Sequence, residues 1–185
     1  PSVLSNEPSF GFGDRLGTAT PGHLEALRQA GGPIRGIFAQ QSIREMTRTQ
    51  RTAARVMRDA AAALESAGHG EPWGADADHL KTPQDVDATA DAGFVFYTID
   101  PSDHVDQQAD NYDATTLAEK FQAVRDQCGW VDQYEGQTIQ IGGGIELTFD
   151  TPTVRRAAVK YGPALVHAKE LAAYIKQAAE QRGQD

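Results

Sequence analysis

Short, continuous apolar runs alternate along this chain with stretches of helical periodicity, and that alternation limits the fold more than any other feature. Residues 9–16 read as a strand, with Phe10 and Phe12 set against Gly11 and Gly13. So do residues 34–39 (Ile34, Ile37, Phe38), 72–80 and 94–99, the last being the run Phe94-Val95-Phe96-Tyr97-Thr98-Ile99. Helical periodicity fills residues 23–30, 52–67 and 82–93 between them, and 115–128 after them. Gly31-Gly32-Pro33 and Gly68-His69-Gly70 end the first two of these stretches. Thr82-Pro83 opens the third, as N-cap and first-turn proline. Residues 40–50 are polar and 102–113 read as a polar loop. Residues 139–141 and 145–149, around Gly142-Gly143-Gly144, read as a small hairpin. From Thr151-Pro152 a long helical stretch runs toward the tail, with an interruption expected at Gly162-Pro163.

Strands that are apolar throughout and separated by helices are the pattern of a parallel sheet buried on both faces. A closed eight-stranded barrel takes ~250 residues, and this chain has 185 with about four βα units. The expected class is therefore α/β: a partial TIM (β/α) barrel, about the first half, with a small β-hairpin insertion. Residues 1–185 are read as a single domain, the N-terminal portion of such a barrel with its C-terminal half absent. The strands near 9–14, 34–39, 73–77 and 94–99 are expected to lie parallel and adjacent. The first and fourth would then be edges, and an inner face of Phe10, Phe12, Ile37, Phe38, Phe94 and Phe96 would be partly uncovered. Uncovered edges imply self-association.

Composition narrows the function classes. Asp and Glu (26) outnumber Lys and Arg (17), a formal net charge of -9, which argues against nucleic acid and anionic membranes as partners. One cysteine, Cys128, forms no internal disulfide and suits a reducing, cytoplasmic setting. No apolar run approaches a membrane span, and residues 1–6 have neither the basic region nor the apolar core of a signal peptide. With no initiator Met, the chain reads as processed, trimmed or cut from a longer protein.

The residues able to do chemistry follow the strands, where the sites of parallel α/β folds lie. Asp76-Ala77-Asp78-His79-Leu80-Lys81 is the densest group. Carboxylates beside an imidazole suit a divalent first-row metal, which makes Asp76, Asp78 and His79 candidate ligands and Lys81 a candidate for a substrate carboxylate. The same residues also make an ordinary capped turn. Asp100-Pro101-Ser102-Asp103-His104 repeats the chemistry and could hold a metal or orient His104 as acid or base. After the first strand, Asp14 is a candidate general base and Arg15 a carboxylate clamp, or the two are simply an ion pair. Gln41 and Arg44 follow the second strand as candidate substrate contacts. The glycines at 11, 13 and 17 are misplaced for a dinucleotide loop, and no Lys-Ser/Thr follows Gly142-Gly143-Gly144.

At these motifs the chain resembles the tagaturonate epimerase family. The resemblance is carried by Ser9-Phe10-Gly11-Phe12-Gly13-Asp14-Arg15-Leu16-Gly17 with Ala19-Thr20-Pro21-Gly22-His23, and by Phe38-Ala39-Gln40-Gln41-Ser42-Ile43-Arg44-Glu45. It continues through Trp73-Gly74-Ala75-Asp76-Ala77-Asp78-His79-Leu80-Lys81-Thr82 and Thr98-Ile99-Asp100-Pro101-Ser102-Asp103-His104-Val105. It implies a metal-dependent epimerase on a barrel scaffold that interconverts D-tagaturonate and D-fructuronate, in members much longer than this chain. By that resemblance Asp14 is the proton acceptor and His79 a ligand of a divalent cation. Asp76, Asp78, Asp100, Asp103 and His104 carry over beside them. Arg15, Arg44 or Lys81 would hold the acid group of a small sugar-acid substrate. Other readings are a different metal-dependent sugar isomerase or aldolase on the same scaffold, or a non-catalytic fragment that binds sugar acids.

Overall fold

The structure, a computed structural model, describes residues 1–183. They form two compact units: Pro1–Asp100 together with the chain from Leu171 onward, and Pro101–Glu170. Each unit is described in turn.

In the first unit β1 (Ser9–Gly13), α1 (Thr20–Ala30), β2 (Arg35–Ser42), α2 (Ile43–Thr49), α3 (Ala53–Ser66), β3 (Asp76–Leu80), α4 (Pro83–Ala90) and β4 (Phe96–Ile99) follow one another. The four strands make one sheet in the order β1-β2-β3-β4, every pairing parallel. Parallel, adjacent strands were expected; among the described residues the sheet is open, with β1 and β4 at its edges. The observed strands are displaced from the expected ones: β2 runs on to Ser42, and β3 begins at Asp76, preceded by a bridge between Ile37 and Gly74. In the last strand the fully buried ring is Phe94, just before β4, while Phe96, Tyr97 and Ile99 are half-buried.

The helices form for local reasons. Thr52 caps α3 by accepting the Arg55 N–H, and Val56, Ala60 and Leu64 recur every fourth residue on its buried face. Thr82 and Asp85 make a reciprocal capping box at α4, with Pro83 in the first turn. Replacing Thr82 with alanine is expected to cost about 1 kcal/mol, readable as a lower denaturant midpoint with an unchanged slope.

Phe38 packs with Leu24 of α1 and Leu64 of α3, and Phe12 lies against that cluster. Phe94 joins Val56, Ala60, Leu80, Val86 and Leu171. The expectation that these rings line an inner face is therefore corrected: register shifts between Gly11 and Gly13 and between Ala77 and Leu80 break the strict alternation, and Phe12 and Phe38 meet helices. Phe10 alone of the six remains largely exposed, at 59%. Gln40, Asp76 and Thr98, from three successive strands, instead join in a hydrogen-bonded row across the sheet.

The second unit holds α5 (Ala114–Val124), the short α6 (Val131–Tyr134), an antiparallel hairpin of β5 (Thr138–Gln140) and β6 (Glu146–Thr148), and the first part of α7 (Thr151–Gln181). Its core gathers Leu117, Phe121, Cys128, Val131, Val154 and Ala158. The expected interruption at Gly162-Pro163 does not occur; α7 is one helix of 31 residues with Pro163 inside it. Proline disfavours the helical conformation of the residue before it by clashing with that residue's Cβ. Gly162 has none, and an added Cβ would lie 2.5 Å from Cys128 Sγ. Among the described residues no helix is long and apolar enough to cross a membrane.

Candidate functional site

A cavity of about 570 Å³ opens at the carboxyl ends of β1, β2 and β3. Its wall includes Asp14, Arg15, Thr18 and Ala19 after β1, Gln40 to Ser42 of β2, Arg44 and Glu45 of α2, and Asp78 and His79 of β3. Six residues expected to act from sequence (Asp14, Arg15, Gln41, Arg44, Asp78, His79), two of them expected metal ligands, thus share one cavity.

Asp14 is buried, and its carboxylate is taken up by the loop that follows it. Oδ1 accepts the N–H of Gly17 at 2.8 Å and of Thr18 at 3.1 Å. Oδ2 accepts the N–H of Ala19 at 2.8 Å and of Thr20 at 3.1 Å, the latter the first residue of α1. Burial alone pushes its pKa up, but the four backbone donors outweigh burial and hold it below the ordinary carboxylate value. Sequence reading made Asp14 the proton acceptor; here its carboxylate is engaged in organising residues 14–20, and a proton transfer would require it to release backbone donors.

The same loop is tied from behind. Arg51, buried, donates from Nη1 to the Asp14 carbonyl at 2.8 Å and from Nη2 to Asp59 Oδ2 at 2.8 Å. Gly17 has φ +76°, and a Cβ there would lie 2.6 Å from Asp59 Oδ2, so both backbone conformation and space demand glycine.

His79 is in the left-handed region at φ +60°, within the irregular stretch of β3 between Ala77 and Leu80. A non-glycine residue there is strained by ~1–2 kcal/mol, and such strain gathers at functional sites. Its Nδ1 lies 2.7 Å from Asp78 Oδ2 and its side chain is half exposed. Asp76 is buried, accepting from Gln40 Nε2 at 3.0 Å and from Thr98 Oγ1 at 3.0 Å. Burial pushes its carboxyl up, against the bonds from Gln40 and Thr98.

Asp76 is bound into the sheet, and Asp78 is spent on the imidazole. Among the described residues no three His, Cys, Asp or Glu side chains are grouped to hold an ion. As a set, Asp76, Asp78 and His79 do not fit a metal. His79 by itself does, because a carboxylate on one ring nitrogen is what orients a ligating histidine through the other.

Lys81 and Asp100 form an ion pair at 3.7 Å, and neither lines the cavity. His104 belongs to the second unit, where its ring stacks on that of His167 with centroids 4.1 Å apart. Sequence reading missed Glu45 as a site residue and missed α2 altogether, placing residues 40–50 as a polar stretch. Ser42-Ile43-Arg44-Glu45 has the spacing of a helix start, and the Ser42 hydroxyl does accept the Glu45 N–H.

Comparison with known proteins agrees with the resemblance in the motifs. The sequence profile of a family described as tagaturonate epimerase matches residues 1–183. A Tagaturonate/fructuronate epimerase of Thermotoga maritima is 41% identical over 159 residues, covering 86% of this chain and 32% of that protein. The native crystal structure of a fructuronate-tagaturonate epimerase from Cohnella laeviribosi superposes with a TM-score of 0.84 at 33% identity, over 96% of this chain and 36% of that one. A two-glycerol complex of the same enzyme gives 0.84, covering 37% of that chain. The chain spans about a third of the length of the relatives it matches.

Proposed function

The chain belongs to the tagaturonate epimerase family, and from that premise we propose that it supplies the first part of a β/α-barrel epimerase interconverting D-tagaturonate and D-fructuronate. The observation that carries this reading is the cavity at the strand ends, where an ordered loop, arginines and a strained histidine meet.

The two keto-acids differ at a carbon β to the ketone, which simple enolisation does not touch. Inversion there follows from retro-aldol cleavage, rotation of the aldehyde fragment and re-addition. Such a reaction needs the acid group held while the fragment turns, and the arginines at the cavity wall can do that through charge-assisted hydrogen bonds. Asp14 and Arg51 keep the wall between Gly13 and Thr20 in one conformation, so that little ordering is left to be done on binding. A divalent cation at His79, with further ligands from outside residues 1–183, would polarise the substrate carbonyl when bound. Asp78 orients His79 for that role.

The test is incubation of the chain joined to the rest of the length its relatives have, and of the chain alone beside it, with D-tagaturonate in the presence of Zn²⁺, Mn²⁺ or Ni²⁺; D-fructuronate is the expected product of the joined protein, on which the outcomes are read. In deuterated solvent the inverted carbon should keep its own hydrogen, because only the hydroxyl proton is exchanged. Absence of conversion with every metal would overturn the reading, and solvent deuterium at that carbon would overturn the retro-aldol route.

A further inference from the structure

The part of the cavity wall contributed by α2 carries a charge pattern that ordinary stability does not explain. Glu45 is buried, at 8% exposure, and three guanidinium groups gather on its carboxylate. Arg15 meets Oε2 through Nε, while Arg44 Nη2 and Arg48 Nη1 each lie 3.9 Å from Oε1. The three arginine side chains are well exposed, at 71%, 63% and 69%. Three positive charges less one negative leave an excess of two at this spot, in a chain whose net charge is -9. Exposed ion pairs contribute little to stability, and desolvating the carboxylate works against it.

A second observation points to a ligand. Gln41 lines the same cavity and is 3% exposed, and its side-chain nitrogen is buried with no hydrogen-bond partner among the described residues. A buried donor left unpaired in a native fold calls for an acceptor. Excess positive charge beside an unused donor matches a carboxylate flanked by hydroxyl groups.

We propose that Arg15 and Arg44, which line the cavity and are splayed on Glu45 with Arg48 behind them on the same carboxylate, form the subsite that holds the carboxylate of the acid sugar and sets the preference for a uronate over the corresponding uncharged ketohexose. The proposal rests on the epimerase reading and adds to it Glu45, with Arg48 as a further partner of its carboxylate. Arg15 engages Glu45 through Nε, which leaves its terminal nitrogens for a second, external carboxylate in the planar fork geometry that guanidinium favours. Glu45 touches the arginines and is a positioning residue.

On the chain joined to the rest of the length its relatives have, the experiment measures KM and kcat for D-tagaturonate and for D-tagatose, which carries an alcohol in place of the acid, together with direct calorimetric binding of each. Arg44→Met, at an exposed position of the cavity wall, should fold normally. It should raise the uronate KM about 10- to 100-fold, the range of a lost charge-assisted hydrogen bond, and leave the ketose KM where it was. Glu45→Gln separates two explanations: a simple positive funnel would bind uronate more tightly once the negative charge is gone, whereas a positioned subsite binds it more weakly. Its melting temperature serves as the folding control. Uronate binding weakened by Arg44→Met in a joined protein that does not epimerise would sustain the subsite and defeat the epimerase reading. Epimerisation with an unchanged uronate-to-ketose ratio in Arg44→Met, or tighter uronate binding in Glu45→Gln, would overturn the subsite and leave the reading intact. A wild-type protein that binds ketose as well as uronate would overturn it too.

Discussion

Asp14→Ala should destabilise the first unit by about 3–5 kcal/mol, the sum expected when several buried N–H groups lose a charged acceptor, taken with allowance for non-additivity. Four consecutive amides, from Gly17 to Thr20, converge on this one carboxylate, and the loop has no regular structure to satisfy them otherwise. Asp14→Asn should fall between wild type and alanine, since one amide oxygen still accepts but the NH₂ group faces donors. The effect has a definite pH sign. The folded pKa lies below the ordinary value, so the stabilisation is fully present above the unfolded pKa, near 4, and is lost as pH falls through the folded value. Chemical denaturation at pH 7 and again across the acid limb measures both. A wild-type-like denaturation midpoint for Asp14→Ala would show that the loop is held by other means.

The second large effect separates stability from activity at a single residue. His79→Gly removes a side chain from a position at φ +60°, which glycine occupies without strain. The relief, ~1–2 kcal/mol, is opposed by the greater backbone freedom of glycine in the unfolded chain, ~0.5–1 kcal/mol, so the melting temperature should hold or rise slightly. Epimerisation, in contrast, should fall by at least ~100-fold, with loss of metal affinity. Asp78→Asn, which leaves the imidazole in place and weakens its orientation, should cost about 10–100-fold. Activity retained in His79→Gly would remove His79 from the reaction.

How much of this was legible in the sequence varies from element to element. The cap at Thr82 was readable because a hydroxyl residue directly before a proline has one dominant use at a helix start, whereas Thr52 showed only as the beginning of a helical stretch. The order and parallel pairing of β1 to β4 followed from apolar runs separated by helices. The facing of Phe12 and Phe38 did not, because one irregularity in register sends alternate residues to the other side, and nothing in the composition of residues 9–14 marks it. Site residues were legible as a neighbourhood, since the strand ends bring them together, and much less so as roles. Asp14, Asp76 and Asp78 are the same residue type in similar local sequence. One holds backbone amides, one is bound into the sheet by Gln40 and Thr98, and one pairs with an imidazole. Only three-dimensional partners distinguish them. Glu45 escaped for the opposite reason: it looked like part of a solvated polar run, and its burial comes from a helix that begins at the very end of β2.

The sheet order β1-β2-β3-β4 means that each strand pairs with the one made just before it. During synthesis no strand has to wait for a distant partner, so loop-closure entropy is met in short instalments and hydrogen bonding can keep pace with elongation. One surface is the exception. Val86 and Phe94 share their core with Leu171 and Ala178, which leave the ribosome some eighty residues later. In that interval the four-stranded sheet carries an apolar face that the end of α7 has yet to cover. It is then that a chaperone would find this chain, and that slow translation between β4 and the end of α7 would do it most harm.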